Sequence, residues 1–189
     1  YSNIAVGTGA LFNTGNRSNL VAVGDSALFN NGVGAVNLYD GTLNSAIGSK
    51  ALFANTTGYY NTATGSNALR NNTSGVQNTA NGTGALTNNT IGGANTAMGL
   101  NTMTQNNTGN DNTAVGNFAS INNTGGSRNT SMGSGALATT STGNNNTAIG
   151  FTADVTANNL SNATAIGFNA KVGASNSLVL GGTGVDAVK

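Results

Sequence analysis

The residue types that do covalent or acid–base chemistry are almost missing from this chain of 189 residues. There is no His, no Cys and no Glu, and the five acidic residues, Asp25, Asp40, Asp111, Asp154 and Asp186, stand far apart. Without imidazole or thiolate there can be no Ser–His triad, no thiol nucleophile, no zinc site of the usual ligands and no disulfide. Isolated Asp residues leave little general acid–base capacity and predict no calcium site of the repeat type. The expectation is a protein that is no enzyme, with no catalytic residue, no cofactor and no metal. Six scattered Lys and Arg give a net charge of +1, no electrostatic footprint for nucleic acid. What remains is contact chemistry. Tyr39 beside Asp40 and the pair Tyr59–Tyr60 offer ring faces and one carboxylate, suited to stacking on a sugar or to covering the edge of the fold.

These residues sit in an unusual background. Only 6% of residues are charged, against roughly 25% in an ordinary soluble domain. The chain has 29 Gly, 35 Asn and 27 Thr but no Pro or Trp. Leu, Ile, Val and Phe total 37, near the level at which disorder is expected, but disorder also calls for a high net charge that is missing here. No apolar run approaches the roughly 18 residues of a membrane helix, so no membrane insertion is expected of this segment. Tyr1 opens directly into patterned sequence, so no signal peptide is expected within these residues.

Self-comparison is more informative. A phrase, most often Asn-Thr-Ala-x-Gly, closes at Gly7, Gly24, Gly48, Gly65, Gly82, Gly99, Gly116, Gly133, Gly150, Gly167 and Gly181. Eight of the ten gaps are 17 residues, one is 24 and the last is 14. Bias in composition supplies residue types without register, so this is a stacked array. Seventeen residues are too few for a helical repeat or a propeller blade, but they fit one solenoid coil of two short strands and two turns. The sequence thus predicts an all-β fold, a parallel β-roll or β-solenoid of about eleven coils of 14–17 residues, on the order of 50 Å long. The array spans 1–181, with an irregular insertion within 31–43 and a junction to a further module over 182–189.

Alternation assigns faces. Before each glycine stand Asn, Thr and Ala in file, as in Asn61-Thr62-Ala63 and Asn112-Thr113-Ala114. Between Ala and Gly the residue is usually apolar: Val6, Val23, Ile47, Met98, Val115, Met132, Ile149, Ile166 and Leu180, with Thr64 and Asn81 as interruptions. Thr and the apolar residue share one face; Asn, Ala and Gly share the other. Small residues suit a narrow interior, and the apolar file then needs a cover that several copies of the chain would supply.

After each glycine the pattern predicts a second strand, with Ala then Leu, as at Ala51-Leu52 and Ala68-Leu69. At Ser120, Asp154 and Lys171 the apolar residue moves on one place, to Ile121, Val155 and Val172. Gly34, Gly58, Gly75, Gly92, Gly109, Gly126 and Gly143 fall ten residues after their motif glycine and are expected at corners of positive φ. The Asn and Thr files are expected to form hydrogen-bonded ladders along the stack. Sequons at Asn55, Asn72, Asn89, Asn107 and Asn123 then follow from Asn-rich turns. A lone Gly7-Thr8-Gly9 lacks the βαβ setting of a phosphate site.

At these residues the chain resembles the head repeats of trimeric autotransporter adhesins, the left-handed parallel β-roll of the YadA type. The 14-residue phrase of that family is matched best where Ala163-Thr164-Ala165-Ile166-Gly167 is followed by Asn176-Ser177-Leu178-Val179-Leu180-Gly181. The 17-residue copies are three residues longer in the turn, as in related repeats of bacterial and phage tail-fibre-like proteins. The resemblance implies a homotrimer at a cell or particle surface that holds adhesive sites outward, towards a surface glycan, a matrix protein or a host receptor. These residues carry no pattern of the membrane barrel or coiled-coil stalk that the resemblance would imply, so the expectation is a segment of a longer fibre, extracellular and anchored to an outer membrane or to a virion-like particle.

Contact candidates are Tyr39 and Asp40 in the insertion, because loops on rigid scaffolds often carry function, and Tyr59 and Tyr60. The plain alternative is a tolerated surface insertion. Phe118, Phe151 and Phe168 are expected to pack. A different class of function, ice binding, is suggested by the single file of Thr, although its companion file of Val, Ile and Met suits a buried seam better.

Overall fold

The structure is a computed structural model in which residues 2–182 are described; the junction expected over 182–189 lies outside them but for its first position. The described residues form β strands and turns, with no helix. One strand recurs per coil: β1 (Asn3–Val6), β2 (Leu20–Val23), β3 (Ser45–Ile47), β4 (Thr62–Thr64), β5 (Thr79–Asn81), β6 (Thr96–Met98), β7 (Thr113–Val115), β8 (Thr130–Met132) and β9 (Thr147–Ile149). The series continues through β11 (Thr164–Ile166) and β13 (Leu178–Leu180), with β10 (Asp154–Val155) and β12 (Lys171–Val172) between. The recurring strands make one 11-stranded parallel sheet in chain order, so the chain is a parallel β-solenoid of about ten turns. Register follows the motif, with Ala46 against Ala63, Ala63 against Ala80 and Ala80 against Ala97.

The expected faces are present. The Ala file is fully buried from Ala22 to Ala165, as is the Leu file from Leu28 to Leu137 wherever Leu or Met103 occupies it; Ala5 in the first coil is exposed. The Asn file is buried too, and it works as a ladder. Asn44 Oδ1 accepts the Asn61 N–H (2.9 Å), Asn61 Oδ1 that of Asn78 (3.0 Å), and the chain of bonds ends with Ala163 N–H on Asn146 Oδ1 (2.9 Å). A second ladder runs beside it, from Asn31 through Asn55, Asn72, Asn89 and Asn106 to Asn123. The two meet at corner carbonyls: Gly75 O accepts from both Asn61 (2.8 Å) and Asn72 (3.0 Å). Burial therefore closes the sequons at Asn55, Asn72, Asn89 and Asn123, while Asn107 is exposed. The strand Thr hydroxyls make no ladder among the described residues; they face outward.

Further expectations are corrected. The second strand is absent from most coils. The residue two after each motif glycine and the Leu two further on both take positive φ, as at Lys50 (58°) and Leu52 (51°). The first gives a turn with positive φ at its third residue, the type II pattern, closed by Ala51 N–H on Gly48 O (3.2 Å). A left-handed Leu costs about 1–2 kcal/mol, a cost that its full burial, worth roughly 1.5–3 kcal/mol, offsets. Coils still bond on this side, Leu52 N–H to Ala68 O (3.0 Å), but without extended backbone. Only β10 and β12 pair as a second sheet, where Asp154 and Lys171 replace Leu and Val155 and Val172 become buried.

At Ser120 the shift does not occur: Ser120 keeps the left-handed turn and stays buried, and Ile121 is half-buried. The space left by the missing Leu is matched by Ser131 in the Ala file, and the two hydroxyls hydrogen-bond at 2.9 Å. The corner glycines are also different from expectation. Gly58, Gly75, Gly92, Gly109, Gly126 and Gly143 lie outside the left-handed region. They are glycine because a Cβ at Gly58 would run into the Asn55 amide and the Gly75 carbonyl. Gly34 does take positive φ (73°) but is not the corner, since a Cβ there would meet nothing. Gly41 takes that place, accepting the Asn31 amide (2.6 Å) as Gly58 accepts that of Asn55 (2.9 Å).

Candidate ligand-contact site

The insertion leaves the solenoid at Gly32 and returns at Gly41, whose N–H groups donate to Thr56 O (2.7 Å) and Thr57 O (3.1 Å) of the next coil. Between these necks the loop is fixed from two sides. Arg17 occupies the corner position of the first coil, and its guanidinium donates to Asn37 O (3.0 Å) and Ala35 O (3.1 Å). Asp40 is buried, and its carboxylate accepts the N–H groups of Asn37 (2.9 Å) and Val36 (3.0 Å). The Asn37 N–H above all, with those of Val36 and the Asn37 side chain, holds this carboxyl below the ordinary Asp value, against the opposing effect of burial. Asp40 thus points into its own loop rather than at a ligand.

The tyrosines that the sequence presents as two spots converge. Tyr39 at the loop tip lies 6.3 Å, ring centre to ring centre, from Tyr59, which meets Tyr60 edge-on at 5.3 Å. Tyr39 is 55% and Tyr60 47% exposed. Thr42 braces the tip by donating its hydroxyl to Tyr39 O (2.7 Å). The next coils carry Val76–Gln77, Gly93–Ala94, Asn110–Asp111 and Ser127–Arg128 in the positions of Tyr59–Tyr60. These eight residues line an open groove of about 400 Å³, which the residue pattern did not reveal. The small side chains at Gly93 and Ala94 are its only legible signal in the sequence.

Elsewhere, Phe12, Phe29 and Phe53 stack coil on coil at 5.0 and 5.3 Å, and Phe151 stacks on Phe168 at 5.9 Å. Of the three Phe expected to pack, Phe151 and Phe168 do so on each other, while all three, Phe118 included, are exposed, Phe168 to 71%. The file Val6, Ile47, Met98, Met132, Ile149, Ile166 and Leu180 also faces outward, 36–58% exposed, with Val23 and Val115 half-buried among them.

The arrangement defines a β-solenoid repeat protein with one built aromatic corner and one apolar stripe along its sheet. No protein-family model matches the chain, and no curated protein matches it.

Proposed function

We propose that this chain is a structural and adhesive segment of a trimeric surface fibre, wound as a left-handed β-roll, that presents contact sites away from a cell or particle surface. The supporting observation is the apolar stripe. It repeats Val, Ile, Met or Leu from Val6 to Leu180, interrupted only at Thr64 and Asn81, and its members stand partly exposed in a single chain. Covering the open half of nine such side chains returns on the order of 1 kcal/mol each. That sum is comparable with the roughly 4–15 kcal/mol cost of association, so the whole length of the stripe has to pair. A stripe with one residue per coil pairs best with an identical stripe in parallel and in register, which favours a closed assembly of identical chains. The resemblance to adhesin head repeats supplies the number three and the handedness. A phage-type or injection-system fibre shaft would use the same assembly.

The chain has no Cys, so single cysteines report on this directly. With Met132→Cys, mild oxidation is expected to join chains through residue 132, whereas Lys50→Cys on the exposed turn is expected to stay reduced. Equal cross-linking of the two, or none at residue 132, would contradict in-register pairing. Ice binding is favoured only by the outward Thr file, and a thermal-hysteresis gap in the purified protein would turn the reading towards it.

A further inference from the structure

We infer that the tyrosine cluster Tyr39, Tyr59 and Tyr60, together with the groove lined by the same positions of the next coils, binds an extended neutral glycan chain. The inference deepens the fibre reading, on whose presenting role it rests, by naming what one presented site takes.

The first observation is that the loop is held ready. An insertion without a task needs no fixed shape, yet Arg17 binds two of its carbonyls and the Asp40 carboxylate two of its N–H groups. Those bonds hold Tyr39 against Tyr59 at 6.3 Å before any ligand arrives. Pre-ordering of this kind lowers the entropic cost of binding. The second observation is the composition of the corner. Tyr39 and Tyr60 expose ring surface suited to the C–H faces of a pyranose, with Tyr59 half-buried beside both. Beyond them the same two positions of successive coils drop to Gly93 and Ala94, which leaves the groove. Gln77 and Asp111, two coils apart along its length, are exposed and make no side-chain hydrogen bond among the described residues. They are free to bond sugar hydroxyls. The coil rise of about 4.8 Å is close to the length of one sugar residue in an extended chain, so successive residues can meet successive coils.

Charge selects among ligands. One carboxylate, Asp111, and one guanidinium, Arg128, balance along the groove, and Arg128 Nε is engaged by Asn145 Oδ1 (2.7 Å). That is a poor surface for a polyanion, which needs several basic groups in file. A folded protein partner would need a face of roughly 1,000 Å² or more in total, wider than this corner. The site stands four residues ahead of the apolar file in each coil, as Ala94 does before Met98, at the bend that precedes the strand.

The chain has no Trp, and three of its four Tyr lie in this cluster, so tyrosine emission reports the site directly. The full chain is titrated with neutral hexasaccharides (β-1,4-glucan, β-1,4-linked N-acetylglucosamine, α-1,4-glucan and α-mannan), with a heparin hexasaccharide and with a proline-rich peptide. Tyr39→Ser and Tyr60→Ser are measured alongside, and circular dichroism checks their folding. The expected result is saturable binding of at least one neutral hexasaccharide, weakened about tenfold in each variant, as for loss of an anchoring aromatic. No saturable response to any neutral hexasaccharide, unchanged affinity in both variants, or preference for heparin or the peptide would overturn the inference. The mass of the same samples by light scattering reads assembly separately. A monomer that binds contradicts the fibre and keeps the site; an assembled chain that does not bind keeps the fibre and removes the site.

Discussion

Ser120 and Ser131 are the places where the repeat is broken twice to stay whole. Each is polar in a buried apolar file, and each hydroxyl is the other's partner. Ser131→Ala leaves the Ser120 hydroxyl buried and unpaired, with an expected loss of about 1–3 kcal/mol in denaturant unfolding. Ser120→Leu alone crowds Ser131, while Ser120→Leu with Ser131→Ala recreates the arrangement of the neighbouring coils and is expected to be at least as stable as the parent. The coupling between the two changes is the measured quantity. Asp40 gives a pH dependence at the same scale. Its folded pKa is depressed by the loop N–H groups. Its contribution is therefore complete above the unfolded pKa, near 3.8, and is lost as pH falls through the lower folded value. Tyrosine emission of the cluster is expected to hold steady down to that region and then change as the loop lets go. Asp40→Ala is expected to show the loosened signal already at neutral pH.

At the scale of the coil, glycine and asparagine set the pitch. From Gly7 to Gly167 the motif glycines have φ between +121° and +144°, and a Cβ on Gly99 would lie 2.7 Å from Gly116 O. Both strain and collision oppose a side chain, so Gly99→Ala is expected to cost roughly 3 kcal/mol or more. The second Asn ladder stops at Asn123, whose Oδ1 has no partner because Thr140 stands where the next Asn would be. Thr140→Asn is expected to extend the ladder and stabilise the fold by about 1 kcal/mol, read as a raised unfolding midpoint. The coil was also where the sequence was least plain. Ala-Leu after each glycine fits a strand by alternation, and only the left-handed φ at Leu52 and its equivalents makes it a turn. Burial of Leu is common to both conformations, so the side-chain pattern cannot separate them. Gly34 and Gly41 were ambiguous for a related reason: counting from Gly24 ignores where the extra residues enter, and only the Asn31–Gly41 bond places them.

For the molecule as a whole, period and face were legible, because a strand repeated in register prints its alternation into every coil. The site was legible only in pieces. Tyr39 and Tyr59 are twenty residues apart in sequence and meet because the inserted loop folds down over the next coil. The groove depends on small residues being stacked, which no single coil displays. The outward apolar stripe connects these scales, since it is what a lone chain leaves uncovered. Ile149→Lys places a charge in that stripe at a 38% exposed position, where a covered seam would have to bury it unpaired. The variant is expected to keep its β circular dichroism and lose association. The most direct measurement is the mass of the unmodified chain by sedimentation equilibrium at micromolar concentration. Three-fold assembly predicts close to three times 18.5 kDa, falling to the mass of a single chain in Ile149→Lys. A folded parent chain sedimenting at 18.5 kDa would contradict the account.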